Sequence, residues 1–128
     1  MKVRTKKILD TGVSYMALVG LKGKHTLPQL RNGRPDMIER IICIFYGIAI
    51  EQIYSKRRDR DIVTCRHLSM YFIRRYTKMS LKSIGERFGR DHTTVIHAIG
   101  SVVKFMDIEE DYRKEVICIE EKINENKN

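Results

Sequence analysis

Arg90, Asp91, His92, Thr93 and Thr94 follow one another with no apolar residue between them, directly after Gly89 and directly before Val95. That set suits recognition of a polyanion with readable base edges. A carboxylate can accept from a cytosine amino group, a threonine methyl can meet a thymine methyl, and an imidazole can donate to a base acceptor or a phosphate. If the five residues open a helix, its unpaired N–H groups and partial positive charge add a further attraction for phosphate. The plain alternative is an Asp N-cap followed by solvated hydroxyls. A second group stands upstream: Ser55-Lys-Arg-Arg-Asp-Arg-Asp61 holds four cations in the five positions 56–60. Such a run is either a solvated loop or a basic finger for nucleic acid.

The elements that must position these groups are legible from periodicity. Asp36 followed by Glu39 reads as an N-cap with a carboxylate three residues later. Ile38, Ile41, Ile42, Phe45 and Tyr46 then form one face of an amphipathic helix ending at Gly47. Ile48, Ile50 and Ile53 suggest a short helical turn, and Leu68, Tyr71, Phe72 and Tyr76 mark a long helix over roughly 63–77. Ser80 caps a short helix with Leu81, Ile84 and Phe88 facing inward. Asp91 caps the next, whose stripe is Val95, Ile96, Ile99, Val102, Val103 and Met106. Asp107 with Glu110 reads as another capping box, opening a last helix carried by Tyr112, Val116, Ile119 and Ile123. Helix, short turn at Gly89, helix is the helix-turn-helix arrangement. The expected fold is therefore all-α, a compact helical bundle. Before it, residues 1–35 form a basic extension in which Val13–Val19 is apolar without a decisive period.

Charge agrees with an anionic partner. The 128 residues carry a net charge of +9, distributed as +7 over residues 1–35, +6 over 36–106 and −4 over 107–128. Neutralised phosphates release counterions, which drives association. Three dispersed cysteines (43, 65 and 118) form no C-x-x-C pair. Cys43 and Cys118 fall on apolar helical faces, as free thiols do in a reducing cytoplasm. No apolar run approaches membrane-spanning length and no secretory leader is evident, so a cytoplasmic protein is expected.

Catalytic chemistry finds no support in the spacing. Four histidines and three cysteines show no zinc pattern, and His92 and His97, five apart, do not share a helical face. Gly20-Leu-Lys-Gly23-Lys24-His25-Thr26 has two residues between its glycines where a phosphate loop needs four, and His25 follows the lysine where a hydroxyl is needed. The expectation is a non-enzyme with no cofactor, no metal and no nucleotide.

Gly89-Arg-Asp-His-Thr-Thr-Val-Ile-His-Ala98 resembles the signature of the DNA-binding domain of DnaA, the bacterial chromosomal replication initiator. Ser55-Lys-Arg-Arg58 with Arg60 and Arg66, and Ser80-Leu81 with Ile84-Gly85 and Phe88-Gly89, agree in order and spacing. The resemblance runs from about Asp36 to Met106. It implies a stand-alone version of that domain over residues 36–128, related to the Trp repressor-like folds, in a chain without room for the initiator's ATPase module. It also implies double-stranded DNA as partner, at sites like those of a replication origin. Arg58 matches a minor-groove arginine, and Asp91, His92 and Thr93 match major-groove base readers. Lys56, Arg66, His67, Arg74, Thr77, Lys82, Arg90, Thr94 and His97 match positions on or near the phosphate backbone.

Several positions depart from the family pattern. One glycine precedes Arg90 where two are usual, Cys65 stands where proline is common, and His67 replaces an amide side chain. Lys82 replaces a proline, and Gly100-Ser101 replaces a charged pair. A monomer is expected, with a protein of the replication machinery as a further partner. The competing class is a helical protein-interaction module, or a regulator of the initiator, with vestigial DNA affinity.

Overall fold

The computed structural model describes residues 34–126, and among these every regular element is a helix. They are α1 (Pro35–Tyr46), α2 (Ile50–Ile53), α3 (Arg60–Tyr76), α4 (Leu81–Phe88), α5 (His92–Ile108) and α6 (Glu110–Glu125). The all-α, helix-turn-helix expectation holds. The apolar stretch 13–19 and the glycine motif at 20–26 lie outside the described residues.

Helix α3 is the central element. It packs against α1, α2, α4 and α5, while α6 closes the bundle against α1 and α5. Ile62, Cys65, Leu68, Met70, Tyr71, Phe72, Ile73 and Tyr76 are all buried, more than one face of a helix can carry. This is what a helix surrounded by others requires. Each large side chain so buried stabilises the fold by about 1.5–3 kcal/mol relative to exposure. Cys43 and Cys65 are free buried thiols that share a side-chain hydrogen bond between α1 and α3, and Cys118 is half-buried. Cys65, at a position where the resemblance leads to an expectation of proline, fills the core.

Three expected boundaries are corrected. The cap of α1 is Arg34, with Pro35 in the first turn where its fixed φ is already helical. Asp36 sits inside that turn, and Glu39 does not reach back to a cap: it is buried and bonded to Arg87. Helix α3 starts at Arg60, about three residues earlier than periodicity suggests: Arg60 and Asp61 are exposed, and the buried stripe begins only at Ile62. Helix α5 continues through Asp107 and Ile108, so Asp107 does not open α6. The break is the single extended residue Glu109, at φ −120° and ψ 112°, with no side-chain cap. Arg113 instead donates to the Met106 carbonyl at 3.1 Å, satisfying an end of α5 that would otherwise be orphaned.

The acidic last helix is more than a solvated tail. Tyr46 donates to Glu115 at 2.8 Å, Tyr76 donates to Glu120 at 2.7 Å, and Arg75 pairs with the same Glu120 carboxylate at 3.1 Å. Burial and the carboxylate partner push the Tyr46 and Tyr76 hydroxyls far above the usual phenol range. Those donors therefore stay protonated.

Candidate nucleic-acid interface

Each part of the helix-turn-helix is fixed locally. The Ser80 hydroxyl accepts from the Ser83 N–H at 3.0 Å and starts α4. Gly89 ends it in the left-handed conformation, φ +68°, which glycine adopts without steric cost. The chain then turns back: Gly89 N–H donates to the Glu86 carbonyl at 3.1 Å and Arg90 N–H to the Gly85 carbonyl at 2.7 Å. This paired closure satisfies the last carbonyls of α4. One glycine is enough for the turn, although two are usual in the family. The Asp91 carboxylate accepts from the Thr93 N–H at 3.4 Å and opens α5. Hydrogen bonds from Thr93 hold that carboxyl below its ordinary pKa, so it is an anion at neutral pH.

Gly85 has a task that periodicity does not reveal. A Cβ there would lie 2.5 Å from the Arg90 carbonyl oxygen and 3.3 Å from both Asp91 C and His92 N. The backbone entering α5 rests directly on α4, and only a residue without a side chain permits it.

Asp91, His92, Thr93, Thr94 and His97 are all exposed on α5, and Val95 begins the buried stripe. Arg58 and Lys56 are exposed on the loop 55–59 between α2 and α3. Lys56 and Arg58 line a cleft of about 610 Å³ together with Val63, Arg66, His67, Gly89 and Arg90, so the loop reaches the turn that leads into α5, and Arg90 donates to Ser55 O at 3.0 Å. The basic loop and the start of α5 are therefore neighbours on one side of the molecule. His67 is half-buried in this cleft, and desolvation together with the charges of Arg66 and Arg90 lowers its pKa. Lys82 is exposed in the first turn of α4.

Three of the residues expected at the phosphate backbone, all on α3 or at its C-terminal cap, make internal bonds. Arg66 is 5% exposed and donates to main-chain carbonyls of the loop, among them Ile53 at 2.8 Å and Ser55 at 2.9 Å. Thr77 is buried at the end of α3, where its hydroxyl donates to Ile73 O at 2.7 Å and accepts from Met79 N–H at 3.1 Å. Arg74 is half-buried and donates to Met79 O at 3.0 Å. The cause is the same in each case: a polar group carried by the central helix is desolvated, and nearby carbonyls are the partners that compensate it.

A network absent from the sequence-level expectation ties these parts together. Arg87 on α4 makes a two-pronged bond to the buried Glu39 carboxylate, at 2.6 and 2.9 Å, and Tyr54 donates to the same group. The Glu39 bonds raise the pKa of the Arg87 guanidinium above its ordinary value. Tyr54 also stacks on Phe88, ring centroids 5.2 Å apart. Because Tyr54 immediately precedes the basic loop, α1, α4 and the loop share one anchor.

The family model described as bacterial dnaA protein helix-turn-helix matches residues 35–102, more than half of the chain. The match spans α1 to the middle of α5, and so includes the basic loop, the Gly89 turn and the exposed first turn. With the geometry and the match in agreement, the chain belongs to the bacterial DnaA helix-turn-helix family, a DNA-binding rather than a catalytic module.

Proposed function

We propose that this chain binds double-stranded DNA in a sequence-specific manner at sites resembling replication-origin boxes, by binding alone and without nucleotide hydrolysis of its own. The first turn of α5 enters the major groove, where Asp91, His92 and Thr93 read base edges. Arg58 enters the neighbouring minor groove, where narrow A·T-rich segments attract an arginine. Lys56, Lys82, Thr94 and His97, exposed around these readers, hold the phosphate backbone, and His67 and Arg90 face the cleft between them. The observation that carries the reading is the shared cleft: Arg58 and Arg90 line one concavity beside four consecutive exposed polar residues at a helix N-terminus.

The test is a selection of bound duplexes from a randomised library, followed by titration of the selected duplex and a scrambled one at several salt concentrations. Arg58→Ala and His92→Ala should each weaken specific binding by about 1–3 kcal/mol. Lys122→Ala, on the distant acidic helix, should change it by less than twofold. Equal binding by all three variants would refute the assignment. Failure of the selection to enrich any sequence would favour a protein-interaction module instead.

A further inference from the structure

We infer that Arg66 and Arg90 are positioning residues which, through the single carbonyl of Ser55, lock the basic loop to the first turn of α5, so that both groove-reading groups meet DNA as one unit. The inference rests on the DNA-binding surface proposed above and adds a cause for its rigidity. The chain leaves α2 after Ile53 and has no regular structure from Tyr54 to Arg57 to hold it, and carbonyls left unpaired against the protein surface are costly. Arg66 gathers three of them, and approaches a fourth, Gln52 O, that already accepts from the Ser55 hydroxyl at 2.7 Å. Its Nε donates to Ile53 O at 2.8 Å, and its Nη2 approaches Gln52 O at 3.4 Å, Ser55 O at 2.9 Å and Arg57 O at 3.1 Å.

No carboxylate is among these partners. Burial and the neighbouring Arg90 charge both lower the Arg66 pKa. A desolvated cation compensated only by carbonyls holds those carbonyls firmly, because releasing any of them exposes the charge to a worse environment. Arg90 completes the joint from the other side. Its Nη1 donates to Phe88 O at the end of α4, at 2.8 Å, and its Nη2 to Ser55 O at 3.0 Å. Ser55 O thus accepts from both guanidinium groups, and a carbonyl has two lone pairs for that purpose. The link runs from the central helix through the loop to the residue before the cap of α5. Lysine, with one ammonium on a flexible stem, cannot reproduce either fork.

Charge-preserving variants separate positioning from simple phosphate contact. The full chain is titrated by fluorescence anisotropy with the duplex it selects from a randomised library, over a series of KCl concentrations. The variants are Arg58→Ala, Arg66→Lys, Arg90→Lys and the two doubles that combine a lysine change with Arg58→Ala. Arg66→Lys and Arg90→Lys should each lose tenfold or more in specific affinity while keeping the wild-type salt slope, since no cation is removed. In either double the two losses should not multiply: affinity should stay within about threefold of Arg58→Ala alone. Amide exchange over 56–58 in the free protein should quicken in both single lysine variants. If Arg66→Lys weakens folding in a thermal melt, Arg90→Lys carries the test, because its side chain sits at a partly exposed turn. Wild-type affinity in the folded lysine variants, or full multiplication of losses in the doubles, would overturn the inference. Wild-type affinity of Arg58→Ala would instead overturn the groove assignment on which it rests.

Discussion

Gly85→Ala adds one methyl group to the buried face of α4, and it should weaken specific DNA recognition even where it costs little stability. The new Cβ would stand 2.5 Å from the Arg90 carbonyl oxygen, while ordinary contact begins at 3.4 Å, so the two backbones must separate by 0.9 Å. None of the obstructing atoms is a side-chain end that could swing aside, since all three are main-chain atoms of residues 90–92. The stability terms nearly offset. Alanine gains about 1 kcal/mol over glycine in a helix, against about 1–3 kcal/mol for overpacking. The net loss is about 0–2 kcal/mol.

Recognition has no such offset. The displaced residues lead into Asp91, His92 and Thr93, and the Arg90 N–H bond to Gly85 O is strained with them. Each well-placed base contact is worth about 1–3 kcal/mol, and a shift approaching 1 Å exceeds the roughly 0.5 Å tolerance of a preorganised site. Specific affinity should fall by roughly 10- to 100-fold, the equivalent of one or two such contacts. Binding to a scrambled duplex, dominated by phosphate, should change little. Parallel anisotropy titrations with selected and scrambled duplexes, alongside a thermal melt, read both quantities. A Gly85→Ala protein with wild-type melting and an unchanged ratio of specific to non-specific affinity would refute the idea that the α4 contact sets the pose of α5.

Two further outcomes follow from the buried network and the cleft. Glu39→Ala leaves Arg87, whose side chain is 29% exposed, without its two-pronged partner and removes the acceptor of Tyr54. Because Arg87 can turn partly to water, the loss should fall at or below the low end of the buried-pair range, about 2–3 kcal/mol. At about 4–8 °C per kcal/mol for a domain near this size, melting should drop by at least 8 °C, and a drop under 2 °C would contradict the anchor. His67 titrates below its ordinary 6.5 because burial, Arg66 and Arg90 disfavour its cation. Below pH 6.5 the unfolded chain therefore binds the proton more readily than the folded one, and stability falls as pH decreases through that window towards the folded pKa. The slope contributed is at most about 1.4 kcal/mol per pH unit. Denaturant titrations from pH 7 to pH 5 should show this component, and His67→Gln should lack it; identical slopes in both proteins would remove His67 from the cause.

Local rules made much of this molecule legible before any coordinates. Apolar residues recurring every three or four positions on α1, α4, α5 and α6 name buried faces, because a helix must hide its stripe. Ser80, Gly47, Gly89 and Asp91 act within a turn of themselves, so their caps depend only on neighbours in the chain. The polar run is readable for the same reason in 91–94, four exposed residues ahead of an apolar stripe, but not in Arg90, which is half-buried against Ser55 O and Phe88 O. The starts of α1 and α3 and the break at Glu109 are not legible in this way, since the exposed polar residues Arg34, Arg60 and Asp61 carry no apolar signal and a single extended residue has no sequence signature.

What depends on distant parts of the chain meeting could be decided only by packing. Glu39 looked like a capping carboxylate until Arg87, 48 residues away, was brought against it. Arg66 and Thr77 looked like two more polar side chains for the phosphate backbone. The central position of α3 desolvates both, and desolvation forces each onto nearby carbonyls. Gly85 gains its meaning from the Arg90 carbonyl lying on it, and the basic loop gains its place beside α5 from Ser55 accepting two guanidinium groups. Periodicity specifies which surface of a helix is buried. Which partner lies across that surface is set by the simultaneous closure of the six helices among the described residues, and no local pattern encodes it.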